Sequence, residues 1–256
     1  LKVVDKDKLS DISQWKSTIA EWKLKYPICP DHYYQEKSIN PYVFVKELSA
    51  VSGENETIIV DTGCSLAWVM QAFECKSGQR IFHDFNNTAM GYALPASIGA
   101  SIALAGKPVT CITGDGSLQM NIQELATIIH YKLPVRVIVI NNGGYSMIQQ
   151  TQDQWLGSKY IASSVEGGVP SPDYSGVAQG YGFKTYSINT NAEIRQVLKE
   201  MFDDEEAVFC EIHINAEHRV TPQVKFGRAI EDAEPLIDRN EFNQAMIVPP
   251  LESSKK

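Results

Sequence analysis

Short apolar runs alternate with amphipathic segments along the chain, and the clearest example lies near its middle. The runs VTCIT at 109–113 and VRVIVI at 135–140 each end in a polar turn, which is typical of buried strands. The segment between them predicts one amphipathic helix with a single apolar stripe. The stripe consists of Leu118, Ile122, Leu125 and Ile129. Strand, helix and strand in this order predict a βαβ unit with parallel strands.

The same alternation covers most of the chain and predicts its fold class. Further strands are expected at 57–61, 80–82, 183–188 and 207–214. Further helices are expected at 40–50, 66–73, 91–105 and 173–180, and from a capping box at 190–193 to residue 202. The pattern predicts an α/β fold with a mainly parallel sheet and helices on both faces. Residues 151–172 show no periodic element, and such long stretches are usually functional or mobile.

Three regions are expected from these patterns. Residues 1–38 are interpreted as a connector from a preceding domain, residues 39–215 as the main domain, and residues 216–256 as a polar, proline-punctuated tail. The connector should contain a helix that ends before Tyr26 and Pro27. Its apolar positions are Leu9, Ile12, Trp15, Ile19 and Trp22. Because the chain starts at Leu1 with neither initiator Met nor signal peptide, we expect a piece of a longer polypeptide.

Composition excludes several functional classes. The hydrophobic fraction of 43% and the charged fraction of 21% are those of an ordinary globular protein. The net charge of −8 argues against sequence-independent nucleic-acid binding, which needs a basic surface. No apolar run approaches the roughly 18 residues of a membrane span. Five scattered cysteines without a CxxC spacing favour reduced thiols, and hence a cytoplasmic protein.

Two polar clusters follow the two central strands, GDGS at 114–117 and NNGG at 141–144. Ligands of open parallel sheets bind beyond the carboxyl ends of the strands, so both clusters should face one crevice. Asp115 and Asn142, 27 positions apart, offer oxygen ligands of the kind that Mg²⁺ takes beside phosphates. Gly116 and Ser117 open a helix whose free N–H groups favour an anion. Each cluster alone could be a simple turn, but the pair favours a metal–phosphate site.

The segment GDGSLQMNIQELATIIHYKLPVRVIVINNGGYSM resembles the cofactor motif of thiamine diphosphate-dependent enzymes. With its surroundings it resembles the C-terminal cofactor-binding domain of the acetolactate synthase (acetohydroxyacid synthase) large subunit. The resemblance covers nearly all of residues 1–215, including the WK…YP connector. The motif pair is specific for the cofactor and much less specific for the substrate.

The resemblance implies a set of site residues. Asp115 and Asn142 would bind Mg²⁺ through their side chains, and Gly144 through its backbone carbonyl. Met90 would be the apolar wedge that bends the cofactor, although a Met before a helix is otherwise most often a core residue. The turn at 63–65 would hold the diphosphate, or is an ordinary strand-to-helix turn. The expected cofactor-binding residues are Gly63, Cys64, Ser65, Met90, Gly114, Gly116, Ser117, Tyr145 and Met147.

The resemblance also implies an activity. Such an enzyme is a thiamine diphosphate-dependent transferase or lyase that decarboxylates pyruvate or another 2-oxo acid and ligates the product to an acceptor. We expect a homodimer or a dimer of dimers. The activating glutamate belongs to a separate N-terminal domain, so no catalytic residue is expected among these 256 residues and they should be inactive alone. A 2-oxo acid decarboxylase, a non-catalytic cofactor-binding module and a split-subunit enzyme remain alternatives, and FAD binding is left open.

Two departures from the acetolactate synthase pattern leave the acceptor open. The segment before Met90 reads Asn86-Asn87-Thr88-Ala89 where those synthases are glycine-rich, and Thr151 replaces a tryptophan of the acceptor pocket. Other chemistries have little support, because the GxSxG, HExxH and P-loop patterns are absent. The remaining candidate bases have no partner pattern and are interpreted as surface or hydrogen-bonded core residues. They are His83, His130, His213 and His218.

Overall fold

Six parallel strands form one sheet at the centre of the computed structural model, which describes residues 10–254. The strands are β1 (Thr57–Val60), β2 (Arg80–Phe82), β3 (Val109–Gly114), β4 (Val135–Asn141), β5 (Lys184–Ile188) and β6 (Val208–His213). Their order in the sheet is β2-β1-β3-β4-β6-β5, and every neighbouring pair is parallel. The predicted parallel sheet is therefore confirmed, with β3 and β4 at its centre.

Helices cover both faces of this sheet, as predicted. The α-helices within residues 10–254 are α1 (Ser13–Lys25), α2 (Pro41–Val51), α3 (Cys64–Ala72), α4 (Ala93–Ala103), α5 (Asp115–Leu118), α6 (Glu124–His130), α7 (Ser146–Trp155), α8 (Tyr174–Tyr181), α9 (Ile194–Phe202) and α10 (Arg239–Ala245). One apolar cluster packs α2, α3 and α9 against the sheet, and a second packs α4, α6 and α8 against the other face. Within β4, Ile138 belongs to the first cluster and Val137 and Val139 to the second.

Most predicted boundaries agree with the structure to within one or two residues. The start of α2 shows why a local signal was sufficient. The Asn40 side chain accepts a hydrogen bond from the Tyr42 N–H at 2.9 Å, and Pro41 occupies the first helical position. No helix within residues 10–254 is long and apolar enough to cross a membrane.

The prediction of a single helix between β3 and β4 is wrong. The segment forms two short helices, α5 and α6, separated by turns at 119–123. The interruption lies against the loop before α4, where the Asn121 Nδ2 donates a hydrogen bond to the Gly91 carbonyl at 2.5 Å. This tertiary contact overrides the apolar periodicity, although Leu118 and Leu125 of the predicted stripe are fully buried.

The sequence predicted no periodic element in residues 151–172. This prediction is wrong for the first five of them, because α7 runs to Trp155. Its buried face is polar rather than apolar. The side-chain amides of Gln149, Gln150 and Gln152 donate hydrogen bonds to backbone carbonyls of residues 163, 220 and 161. A helix buried through glutamines carries no apolar stripe, so hydrophobic periodicity does not detect it.

The N-terminal helix α1 lies against the tail. It ends before Tyr26 as predicted, whereas Leu9 of the predicted stripe lies outside the described residues. No residue of α1 is buried, but the Tyr26 hydroxyl donates to Glu241 of α10, and Lys25 forms an ion pair with the same carboxylate at 3.1 Å. The tail is more than a wrapping segment, since Val220 joins the core. The domain boundaries at 38 and 215 stay predictions.

Candidate functional site

The carboxyl ends of β3 and β4 open into one cavity of about 310 Å³, a size that small-molecule sites commonly have. Asp115 directly follows β3 and Asn142 directly follows β4, and these strands are neighbours in the sheet. All twelve residues singled out from the sequence line this cavity. They are Gly63, Cys64, Ser65, Met90, Gly114, Asp115, Gly116, Ser117, Asn142, Gly144, Tyr145 and Met147. Thr62, Thr88, Ile140, Ser146 and Ile148 complete the lining.

Asp115 is a buried carboxylate held by backbone N–H groups. Its Oδ1 accepts a hydrogen bond from the Gly116 N–H and its Oδ2 one from the Gly144 N–H, both at 2.9 Å. Burial raises the pKa of Asp115 to about 6, and the backbone hydrogen bonds oppose that rise. At that pKa the carboxyl group is mostly ionised at neutral pH, and a buried negative charge favours a bound cation.

Asn142 lines the same cavity and has an unpaired side-chain oxygen. Its Nδ2 donates to the Ser146 hydroxyl, whereas its Oδ1 is buried and has no hydrogen-bond partner. A buried oxygen without a partner costs about 1–3 kcal/mol, so a ligand that the protein chain does not supply would stabilise it. Carboxylate, amide and carbonyl oxygens are the ligands of Mg²⁺, so the residues present fit this ion.

The donor set is a mixed one. Within residues 10–254 no group of three or more His, Cys, Asp and Glu side chains is placed to hold a metal ion. A cation in this cavity would therefore depend on one carboxylate, one amide oxygen, backbone carbonyls, and oxygens of its other ligands and water. Such a shell suits a hard cation that stays partly coordinated by phosphate and water.

The turn after β4 depends on glycine and is supported by residue 163. Gly143 and Gly144 have φ values of +72° and +150°, and a Cβ on Gly144 would lie 2.3 Å from the Ser163 carbonyl oxygen. The same carbonyl accepts hydrogen bonds from the Tyr145 N–H at 2.9 Å and from the Gln149 side chain at 2.6 Å. Sequence reasoning missed this supporting residue, because nothing in residues 151–172 marked it.

The first turn also needs a glycine, for a steric reason. A Cβ on Gly116 would lie 2.1 Å from Cε1 of Tyr145, so only glycine lets this ring lie over the turn. Ser65 lies beside the same turn, since a Cβ on Gly114 would be 3.5 Å from its hydroxyl oxygen. Cys64 is buried, and burial raises the pKa of its thiol to about 12, so it forms a neutral wall.

Asp61 is a buried residue to which the sequence assigned no role. Its carboxylate accepts hydrogen bonds from the Thr62 N–H at 2.9 Å, from the Gly91 and Ala93 N–H groups at 3.1 Å, and from the Thr113 hydroxyl at 3.3 Å. These bonds tie the loop that carries Met90 to the ends of β1 and β3. The available signal was its position, since an acidic residue directly follows a buried strand.

Residues 61–212 match the family model of the thiamine pyrophosphate enzyme, C-terminal TPP binding domain. The match covers more than half of the chain. The chain belongs to this family. Thiamine pyrophosphate (TPP) is another name for thiamine diphosphate, so the resemblance that the GDG…NN segment carries is confirmed.

Relatives of this TPP-binding domain are named acetolactate synthases. The acetolactate synthase large subunit of Pyropia yezoensis is 32% identical over 218 residues, which are 85% of this chain and 36% of that protein. Acetolactate synthase isozyme 1 large subunit of Escherichia coli (strain K12) is 29% identical over 85% of the chain and 38% of that protein. Acetolactate synthase 1, chloroplastic, of Oryza sativa subsp. japonica is 29% identical over 87% and 35% respectively. The chain spans little more than a third of these relatives.

Proposed function

We propose that the cavity binds thiamine diphosphate through Mg²⁺, with Asp115, Asn142 and the Gly144 carbonyl as protein ligands. The observation that carries the proposal is the unpaired Asn142 Oδ1 in a cavity that also holds the buried Asp115 carboxylate. A divalent cation would give the Asn142 Oδ1 a partner and neutralise the charge of the Asp115 carboxylate. Membership of the TPP-binding family supports the same assignment.

The remaining cavity residues are proposed to hold the organic part of the cofactor. Gly114, Gly116 and Ser117 would lie against the diphosphate on one side, and the turn of Gly63, Cys64 and Ser65 on the other. Met90, Tyr145 and Met147 form apolar and aromatic walls suited to rings. Asp61 would keep the Met90 loop in place.

The bound cofactor would supply the electron sink for decarboxylating a 2-oxo acid. The residues of this chain would bind and orient it, exclude water with the Met90 and Met147 side chains, and offset the diphosphate charge through the metal. We keep the proposal that the activating glutamate comes from outside these residues, and that they are inactive alone.

For the whole protein we propose an acetolactate synthase-like carboligase, supported by the names of the relatives. The full-length protein incubated with pyruvate, thiamine diphosphate and Mg²⁺ should form acetolactate. Acetaldehyde without acetolactate would instead identify a decarboxylase, and cofactor binding without turnover a non-catalytic module. The departures at 86–89 and at Thr151 concern the acceptor, so different 2-oxo acid acceptors should be compared.

A homodimer or dimer of dimers is part of the proposal. Met90, Met120 and Ile148 are 39%, 53% and 50% exposed around or near the cavity, an apolar area that a second subunit could cover. Light scattering on the full-length protein should give twice or four times the subunit mass, and a monomer would contradict it. We also propose a cytoplasmic location, which cell fractionation tests.

The cofactor assignment can be tested on the intact chain by calorimetry. Wild type should bind thiamine diphosphate in the presence of Mg²⁺, and Asp115→Ala should abolish that binding because the metal loses the one carboxylate among its three proposed protein ligands. Asp203→Ala, at the exposed end of α9, is the matched control and should bind as wild type does. Unchanged affinity in Asp115→Ala would refute the metal assignment.

A further inference from the structure

Glu211 is a buried carboxylate on β6, beside the end of β4 and outside the cavity. It is 3% exposed. Its Oε1 accepts a hydrogen bond from the Asn141 side-chain Nδ2 at 2.8 Å. Its Oε2 accepts from the Ser175 N–H at 3.1 Å and from the Ser175 hydroxyl at 2.6 Å. The nearest cationic candidate is His213, 3.9 Å from Oε1 and itself half exposed. Burying a carboxylate costs free energy of folding unless it is hydrogen-bonded. The complete set of hydrogen bonds around Glu211 therefore suggests a specific role.

The hydrogen bond from Asn141 fixes which way its side-chain amide faces. Because Nδ2 points to Glu211, Oδ1 points the other way and accepts from the Gly143 N–H at 3.0 Å. The Asn141 backbone carbonyl accepts from the Ile214 N–H at 3.0 Å, which anchors the strand end as well. The glycine turn at 143–144 is therefore tied, through one amide side chain, to a carboxylate on the neighbouring strand.

We propose that Glu211 is a positioning residue for the metal-binding turn and acts entirely through Asn141. It orients the Asn141 amide, the amide fixes the Gly143 N–H, and the turn then presents Asn142 and Gly144 to the cavity. This inference rests on the proposed Mg²⁺ site. Neither Glu211 nor Asn141 lines the cavity, so neither needs to touch the metal or the cofactor. Outer residues that orient metal ligands commonly change metal affinity by about 10- to 100-fold when replaced.

The chemistry of the pair suggests a reciprocal test. Glu211 must accept hydrogen bonds on both oxygens, whereas a glutamine presents a donor on one side. Glu211→Gln therefore sets the new NH₂ group against a donor in either orientation. This group faces the Asn141 NH₂, which can then turn and lose its bond to Gly143, or it faces the Ser175 N–H. Asn141→Asp alone places two carboxyl groups in contact. The double variant Asn141→Asp/Glu211→Gln reverses donor and acceptor, keeps the net charge, and leaves an oxygen to accept from Gly143.

Two readouts separate positioning from simple stabilisation. The first is the hydrogen-exchange rate of the Gly143 amide in the metal-free chain. The second is the Mg²⁺ concentration that half-saturates binding at excess thiamine diphosphate. Each single variant should raise the Gly143 exchange rate and the half-saturating Mg²⁺ concentration by about tenfold or more. The double variant should bring both quantities back towards wild type.

Ser175→Ala is the matched control, because it removes a hydrogen bond from the other oxygen of the same carboxylate. It should lower the free energy of unfolding yet leave the Gly143 exchange rate and the Mg²⁺ requirement unchanged. Unaltered Gly143 exchange in both single variants, or a double variant no better than the single ones, would overturn the inference. Failure of wild type to bind the cofactor would overturn the proposed function, while the exchange comparison would still decide the role of Glu211.

Discussion

At the scale of single residues, two unfavourable groups lie in one cavity. Asp115 is an ionised carboxylate with 4% of its surface exposed, and Asn142 has a buried oxygen without a hydrogen bond. Alone, each costs free energy of folding. A divalent cation with further oxygen ligands would remove both costs together. Buried polar groups without partners are typical of binding sites, where affinity for a ligand is favoured over stability of the empty protein.

The cost of the Asp115 charge should appear in the pH dependence of stability. Its pKa of about 6 in the folded chain lies above the ordinary 3.8. The folded chain therefore favours the protonated form of Asp115. The stability that this form contributes is fully present below about pH 4 and is lost as the pH rises through 6 and the buried group ionises. Asp115→Asn cannot ionise. Urea denaturation without divalent cations should show wild type losing stability relative to this variant between pH 4 and pH 8.

The size of that loss follows from the shift, on the order of 3 kcal/mol at about 1.4 kcal/mol per pKa unit. Taking the difference between two variants cancels the titration of all other groups. A difference that does not change with pH would show that Asp115 ionises as freely in the folded chain as in the unfolded one.

Gly116 should be a sterically required glycine. Gly116→Ala would drive a Cβ into the Tyr145 ring, so the ring must move; overpacking typically costs about 1–3 kcal/mol. We expect a lower free energy of unfolding and weaker cofactor binding. Gly99→Ala is the control, because Gly99 lies in α4 with nothing within 4 Å of the added Cβ. It should stabilise the chain by about 0.4–1 kcal/mol. Equal effects of the two changes would contradict the steric explanation.

At the scale of elements, sequence patterns succeed where burial is apolar and local. All seven residues of β4 are buried, so the apolar run that predicted it has a direct cause. The same reasoning fails for α7, because its buried face is made of hydrogen-bonded glutamines. It fails again at 119–123, where a contact with Gly91 ends α5. Both failures come from polar tertiary contacts, which leave no periodic trace in one sequence.

The interruption between α5 and α6 should have a function of its own. Asn121 holds the Gly91 carbonyl, next to Met90 at the cavity edge. Asn121→Ala removes that hydrogen bond, so hydrogen exchange of residues 84–92 should become faster and cofactor affinity should fall. Gln123→Ala, at an exposed position of the same turn, should change neither. Unaltered exchange in Asn121→Ala would show that the loop is held by other contacts, such as those of Asp61.

The positions after β3 and β4 placed Asp115, Asn142 and the neighbouring glycines at one crevice, because strand ends of a parallel sheet meet at one edge. The other cavity residues, such as Met90 and the turn at 63–65, came from the resemblance to thiamine diphosphate enzymes.

Sequence reasoning did not find Asp61, Ser163 or Glu211 as supporting residues. These come from segments far apart along the chain, and each acts through backbone groups or one amide. No local motif marks such contacts, so they had to be read from the three-dimensional arrangement.

At the scale of the whole molecule, the reactivity of the cysteine thiols measures whether the core stays closed. Cys75 is exposed, whereas Cys64, Cys111 and Cys210 are buried and burial raises the pKa of their thiols. The thiolate is the reactive form, so iodoacetamide at pH 8 should modify Cys75 first. The three buried cysteines should react only after unfolding, as mass spectrometry of timed samples can show. Modification of Cys64 as fast as Cys75 would mean that the cavity wall opens readily.

The central claim is that Asp115, Asn142 and Gly144 hold Mg²⁺ at a thiamine diphosphate site. A crystal structure of the protein with both ligands tests it most directly. We expect one metal ion about 2.0–2.1 Å from an Asp115 carboxylate oxygen, from Asn142 Oδ1 and from the Gly144 carbonyl, with diphosphate oxygens completing the shell. A cofactor bound in another cavity, or a metal that leaves Asn142 Oδ1 without a partner, would contradict the claim.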